Sequence, residues 1–588
     1  MSLLNDLHPK SNLPAITTMS HSALSIPIAL DIGGTWIKCA RTSADGNFEP
    51  LERFANPCRE PGLDGFGFAG KIAETVLHRN GGFAPGALVM ATAGEPDAAG
   101  RAYRYLAAHL GAMADPAWVP QLEQQLGCPV HLINDAEALA IGVAEAGLIP
   151  LDGSIGLLAI GTGLGFVVVR DGRWWKPARS LNLLGACSIP GGNYDMWASA
   201  SRRAEAAGGD LTEWLQAPGH AADRESYLDG LAGIVATAAI LHHLDEVLIG
   251  GGMADACAAA GVDISGEISR RIAPHFPTGF AAPKVSIIPA ANEQVLRGAL
   301  AIAAGNQTAE SARFRASFDS LKTEAPARVE PIEEWDAETI LQRLWQEEQA
   351  AGERLSESLP QLAQAACELA ARRKRGGRLL TIGAGTSGRI AAIDAVEMPA
   401  TFRSGRSEFV ALIAGGTADS ALSIEDGGEE DISAVPEMLL LQPGPDDMVL
   451  GISASGTSFF VRSALAFARS RGAFTVMLHE SELTGDAFFD LPIPLCSGPE
   501  VVSGSTRMKA GTATKKALNF LGTTAMILEG KVRGGFMIDF DPNNAKLHRR
   551  ALRILQTLTG QPEDRCQKAL EETGNQLTRA IEALESGD

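Results

Sequence analysis

Residues Arg378–Arg389 read Arg-Leu-Leu-Thr-Ile-Gly-Ala-Gly-Thr-Ser-Gly-Arg. The opening residues, Arg378–Ile382, predict a short strand. Gly383, Gly385 and Gly388 then fall in the G-x-G-x-x-G spacing of a strand-to-helix turn. That spacing alone signals a dinucleotide only weakly. The residues between the glycines argue against one, because Thr386 and Ser387 load the turn with hydroxyls. A strand that ends in such a turn and opens a helix is the repeating unit of a parallel α/β domain.

The same grammar recurs outward from this stretch. Met448–Ile452 predicts a strand that enters Ser453-Ala454-Ser455-Gly456-Thr457-Ser458. Each turn taken singly is equally well a helix cap. Two hydroxyl-rich turns at strand carboxyl ends suit a compact phosphate, whose hydration is replaced by backbone N–H groups and side-chain hydroxyls. A third cluster, Ser503-Gly504-Ser505-Thr506-Arg507-Met508-Lys509, adds hydroxyls and two cations.

Together with Ile413–Gly416, Ile452–Gly456, Ser503–Thr512 and Asn544–Leu547, the stretch Arg378–Phe402 resembles the N-acetylmuramic acid 6-phosphate etherases. The resemblance covers about 320–585. It implies a doubly wound parallel-sheet sugar isomerase domain (336–555), a small helical tail (556–588) and a homodimer with its sites at the dimer interface. The implied reaction releases D-lactate and leaves N-acetylglucosamine 6-phosphate, with no cofactor. The implied sugar-phosphate contacts are Gly385, Thr386, Ser387, Ser453, Ser455, Thr457, Ser505 and Thr506. Such a cleavage needs one group to remove the C2 proton and another to protonate the departing lactate oxygen, roles that two carboxyls can divide. By resemblance Glu397 is the acid, and Glu429, in Glu425–Asp431, is the C2 base. Thr457 and Ala545 depart from the family pattern, which has arginine and glutamate there. The glucokinase regulatory protein shares the architecture and binds sugar phosphates without turning them over. A sugar-phosphate sensor is therefore the alternative reading.

The first half carries three more glycine turns. Ile26–Leu30 predicts a strand before Asp31-Ile32-Gly33-Gly34-Thr35, and Ile155–Ile160 one before Gly161-Thr162-Gly163. Glu246–Ile249 precedes Gly250-Gly251-Gly252, and Asn134-Asp135 falls between the first two turns. Their order resembles the sugar kinases of the actin/hexokinase type, nearest the ROK group and N-acetylglucosamine kinases, over about 26–305. The resemblance implies a duplicated fold that uses ATP and Mg²⁺. Asp31, Gly33, Gly34, Thr35, Gly161, Thr162 and Gly163 would hold the phosphates, and Gly250, Gly251 and Gly252 the adenosine. Asp135 would take the proton of the attacking sugar hydroxyl, and Asn134 and Asp195 would bind the sugar. The group's cysteine zinc motif is missing from Leu184–Asn193, so no zinc is expected, and no residue is assigned to a metal site of the protein's own.

At 588 residues the chain exceeds what a single core supports, so an α/β protein of two large domains is expected. The first 25 residues read as a flexible leader, and the polar stretch 306–335 as a linker. A formal charge of −20 argues against nucleic acid as partner. The longest apolar runs are too short for a bilayer, so no membrane partner is expected. The eight cysteines stand singly, as buried thiols of a cytoplasmic protein do. The partners left are a small amino sugar and its phosphate. Two such domains in series predict a bifunctional enzyme of cell-wall sugar recovery.

Overall fold

The computed structural model describes residues 26–43, 45–97, 100–150, 152–161, 163–175, 188–189, 192–193, 198–276, 279–310, 312, 330–415, 432–480, 488–540 and 542–586. They divide into two compact units, the first closing at Gln307 and the second opening at Thr308. Two short stretches between residues 150 and 180 group with the second.

The first unit uses one strand pattern twice. β1 (Ile28–Ile32), β2 (Trp36–Thr42) and β3 (Phe48–Ala55) form an antiparallel meander. β4 (Leu88–Thr92) is followed by a small hairpin, β5 (Gly94–Pro96) with β6 (Tyr103–Leu106), and then by β7 (Val130–Asn134). The sheet order is β3-β2-β1-β4-β7, with β4 parallel to β1 and β7 parallel to β4. β8 (Ser154–Ile160), β9 (Leu164–Arg170) and β10 (Arg173–Trp174) open the second sheet. β11 (Ser188–Ile189) pairs with β12 (Gly192–Asn193), and β13 (Glu246–Gly250) and β14 (Lys284–Ile287) complete it in the order β10-β9-β8-β13-β14. Each sheet thus puts its first strand at the centre, two successive strands to one side and two crossover strands to the other. That is the duplication expected of an actin-type kinase fold.

All five residues of β1 are buried, as a strand covered on both faces requires. The strand starts and ends two residues later than the sequence reading had it. Asp31 and Ile32 stay in the ladder because they pair with Ala91 and Thr92 of β4. A carboxylate therefore stands inside a buried strand end.

The second unit begins with the helices Ala337–Leu355 and Leu359–Arg373. β15 (Leu379–Gly383), β16 (Phe409–Ile413), β17 (Met448–Ser453), β18 (Phe474–His479) and β19 (Leu491–Pro494) follow in an all-parallel sheet ordered β16-β15-β17-β18-β19. From β15 the chain moves outward to β16, then returns to build β17 on the opposite side. The sheet is doubly wound, and its order reverses between β15 and β17. The helices Ala545–Thr559, Glu563–Glu572 and Leu577–Ser586 gather around Leu555, Cys566, Leu570 and Ile581 as a separate small core. Among the described residues no helix is long and apolar enough to cross a membrane.

Candidate active sites

In the first unit Asp31 is the penultimate residue of β1, Asn134 ends β7 and Asp135 opens the helix after it, with β4 between the two strands. At the usual strand spacing those two strands run roughly 10 Å apart, so Asp31 and Asn134-Asp135 stand at the same end of one sheet. Asn134 caps the helix Asp135–Glu145, accepting from the N–H groups of Ala136 and Glu137, and its Nδ2 donates to Gly94 O at 2.9 Å. Its Oδ1 and one Nδ2 hydrogen are thereby committed to the backbone. Asp135 Oδ1 accepts from Ala136 N at 2.9 Å. Tyr103 lies beside it, and burial, assisted by the Asp135 charge, pushes the phenol well above its usual range. The Tyr103 hydroxyl accepts from Thr92 Oγ1 at 2.7 Å. Neither contact was legible in the sequence, because β6 joins the site only through a hairpin.

The first glycine turn is pinned from behind. Asn56 Nδ2 donates to Gly33 O at 2.8 Å and Arg59 Nε to Gly34 O at 3.0 Å, while Asn56 N donates to Thr35 O at 3.0 Å. The second turn, between β8 and β9, occupies the equivalent place in the repeat, with Gly161 N donating to Gly163 O at 2.9 Å. A Cβ on Gly165, just beyond it, would stand 3.7 Å from Asp135 Oδ1, so this turn and the candidate base border one space. Gly251 has φ +87°, and a Cβ there would meet Ile160 O at 2.6 Å. Only glycine lets the third turn press against the strand that feeds the second. Gly250 and Gly252 flank it. Glycine turns of this kind can hold a nucleotide, and Asp31 Oδ2 lies 2.8 Å from Lys38 Nζ. Thr162 and Asp195 lie outside the described residues.

The second unit has its turns at the reversal point of the sheet, where doubly wound folds bind ligands. β15 leads into the helix Gly385–Phe402, and Gly385 has φ +51°. A Cβ on Gly383 would meet Gly388 N at 2.6 Å, so those two glycines bring helix and strand together. Among the described residues, the N-cap residue of neither this helix nor Phe459–Ser470 after β17 makes a side-chain cap bond, and the Ser458 hydroxyl is buried with no hydrogen-bond partner. Two helix starts on adjacent strands at a sheet's reversal point are a place where an anion can be held. Around them, Ser455 Oγ and Thr457 Oγ1 are 2.7 Å apart, and Gly456 N donates to Ser453 Oγ at 3.1 Å. Arg462, which no motif singled out, supports this turn from beneath, donating from Nη1 to Gly456 O at 3.1 Å and stacking 4.0 Å over Phe488. Burial holds its guanidinium down at about 10.

The third cluster reaches the first through Gly511, whose added Cβ would stand 3.9 Å from Thr386 Cγ2. Thr506 O accepts from Gly511 N, and Ser505 and Arg507 line a groove beside Trp335 and Leu344. The helix Lys509–Leu528 differs from the other two. Glu500 accepts from Lys509 N at 3.2 Å and from Ala510 N at 3.0 Å, so a carboxylate already occupies the place an anion would take. Lys509 is buried, with Nζ on Glu347 at 2.6 Å and on Pro499 O at 2.7 Å.

Glu397 is exposed, twelve residues into the helix that Gly385 opens. That is roughly 18 Å along the axis from the hydroxyl turn. Within one chain Glu397 therefore stands well away from the hydroxyl turn that opens its own helix. Glu429 lies outside the described residues.

Sequence reasoning also missed Glu480. It follows β18, and its N–H donates to Ala454 O at 3.1 Å, so it abuts the second hydroxyl turn. One carboxylate oxygen accepts from Ser497 N at 2.7 Å, and the other is buried. Burial raises its carboxyl to about 7, with the Glu500 charge adding and Ser497 and Lys509 opposing. A carboxyl raised on folding binds more protons folded than unfolded. Its contribution is complete below its ordinary range and is lost as pH rises to about 7. Glu480→Gln, neutral throughout, is expected to gain on the wild type by about 1–3 kcal/mol between pH 5 and pH 8. Denaturant midpoints of both proteins at the two pH values check this; an unchanged difference would rule it out.

Three family models match the chain: the ROK family over residues 27–179, the glucokinase regulatory protein N-terminal SIS domain over 361–469, and the C-terminal lid domain of glucokinase regulatory protein over 534–584. N-acetylmuramic acid 6-phosphate etherase 2 of Bacillus licheniformis is 37% identical over 251 residues, 42% of this chain and 84% of that one. The N-acetylmuramic acid 6-phosphate etherase of a Synechococcus species is 40% identical over 268 residues, 44% of this chain and 83% of that one. Among solved structures, a ROK family glucokinase from Streptomyces griseus in complex with glucose and AMPPNP is 21% identical. It covers 47% of this chain and 98% of its own, and a TM-score of 0.38 carries no further weight.

Proposed function

Because the chain belongs, through its second half, to the N-acetylmuramic acid 6-phosphate etherase family, we propose that this half cleaves the lactyl ether of N-acetylmuramic acid 6-phosphate. The first half, with its ROK family domain, makes that substrate from N-acetylmuramic acid and ATP. The observation that carries the reading is the pair of uncapped helix starts on β15 and β17, a seat for one phosphate at the reversal point of the sheet.

In the kinase half, bound ATP and Mg²⁺ supply the phosphoryl group and neutralise its charge. Asp135 accepts the proton of the sugar hydroxyl, while Asn134 holds the end of its strand rigid. In the etherase half Glu429 removes the C2 proton of the opened sugar, and Glu397 protonates the lactate oxygen as the C3–O bond breaks. Water then adds at C3, giving N-acetylglucosamine 6-phosphate. Neither step calls for a metal. The position of Glu397 favours a homodimer, in which it serves the phosphate turns of a second copy. Ile393, Val396 and Ala400 share its helix face, and Ile393 and Val396 are 55% and 75% exposed, an apolar stripe that such a copy would cover.

The matches to glucokinase regulatory protein modules favour a second reading, a sugar-phosphate sensor with inert domains. Incubating the purified chain with N-acetylmuramic acid, Mg²⁺ and ATP is expected to release D-lactate, and omitting ATP to prevent it. If supplied N-acetylmuramic acid 6-phosphate is bound but left intact, the sensor reading stands instead.

A further inference from the structure

We propose that Lys38, Asn292 and Asp255 form a polar tie that holds Asp31 in register with the helix behind the Gly250–Gly252 turn, making all three positioning residues for a bound nucleotide. The tie rests on the kinase reading and deepens it.

Lys38 Nζ lies 2.8 Å from Asp31 Oδ2 and 2.6 Å from Asn292 Oδ1. Asn292 turns its Nδ2 the other way and donates to the Asp255 carboxylate. The chain of contacts thus runs Asp31, Lys38, Asn292, Asp255. It joins β1 and β2 of one sheet to the first turn of the helix Gly252–Ala260, which starts where the third glycine turn ends. Lys38 and Asn292 are 254 residues apart in sequence, so folding alone brings them together.

Each member suits its place. Asn292 must accept from a cation and donate to a carboxylate, which an amide does and neither an aspartate nor a leucine can. Asp255 also accepts from the backbone N–H groups of Ala291 and Asn292, capping the helix Ala291–Glu310 from outside. That helix crosses Asp135–Glu145 with no clearance. A Cβ on Gly142 would come within 1.9 Å of Gln294 O, and one on Gly298 within 1.9 Å of Ala138 O. The tie therefore connects three functional pieces through rigid joints: Asp31 at the phosphate end of the nucleotide, the Gly250–Gly252 turn at the adenosine end, and the helix that opens with Asp135. A ligand that must touch both ends at once binds best when those ends are held at a fixed separation.

The test is a double-mutant cycle on the full chain, read by calorimetric affinity for Mg²⁺·AMPPNP. Lys38 is 36% exposed, so Lys38→Met should fold even if Asn292→Ala is weakened. Each single variant is expected to lose about tenfold in nucleotide affinity. The double variant should lose little more than the worse single. Sugar affinity and D-lactate release from supplied N-acetylmuramic acid 6-phosphate should stay within about twofold of wild type. Losses that multiply to about a hundredfold would overturn the tie, as would unchanged affinity in variants that merely melt earlier. A wild type that binds AMPPNP but phosphorylates no sugar would defeat the kinase reading while the cycle still decides the tie. A wild type that binds no nucleotide would overturn both.

Discussion

Replacing Asp135 by asparagine is expected to remove ATP-dependent phosphorylation of N-acetylmuramic acid, by about 10²–10⁴-fold, while supplied N-acetylmuramic acid 6-phosphate is cleaved at the wild-type rate. Asparagine keeps the volume and the acceptor that Ala136 N uses, so the helix start should survive. What it loses is the capacity to take a proton. Asp135 borders the second glycine turn of the first unit and belongs to no element of the second. The two activities are therefore expected to separate cleanly. ATP consumption and D-lactate release, assayed on the same preparation, provide the check. A folded variant that loses both equally would show that the halves are not chemically independent.

The second large effect concerns the two glutamates. Glu397→Gln is expected to stop lactate release while the C2 hydrogen of the sugar still exchanges with deuterated water, because the base step survives. Glu429→Gln is expected to lose both. Glutamine preserves volume and one hydrogen bond, so packing effects should be small beside a chemical loss of about 10²–10⁴-fold. Mixing the two variants adds a sharper result. If Glu397 serves the phosphate turns of a second copy, each inactive homodimer has one defect per site. Mixed dimers then hold one site with both glutamates intact and one with neither. Activity should return on mixing, towards a quarter of wild type if subunits redistribute at random. No recovery after demonstrated subunit exchange would place both glutamates in the site of one chain. Exchange lost in Glu397→Gln and kept in Glu429→Gln would reverse the roles of acid and base.

Much of this protein was legible in its sequence. Apolar runs ending in glycine turns announced β1, β8, β13, β15 and β17, because a buried parallel strand must be apolar along its length and must release the chain through a residue that tolerates positive φ or close packing. The hydroxyls of Thr386, Ser387, Ser453 and Ser455 were legible as a cluster at two strand ends, since a turn that opens a helix needs few residues and all are contiguous. What contiguity cannot carry, the tertiary structure decided. The extension of β1 to Ile32 depends on partners in β4, some sixty residues away. The carboxylate of Glu500 fills the helix start at Lys509, a feature of the third hydroxyl cluster that its string does not announce. Glu480 acquires a titratable carboxyl near neutrality only because β18 and the segment after β19 enclose it. Lys38 and Asn292 meet across 254 residues. Glu397, placed by its motif in the sequence, stands along its helix away from the turn that opened it. The rise of a helix, 1.5 Å for every residue, converts a short interval in sequence into that separation.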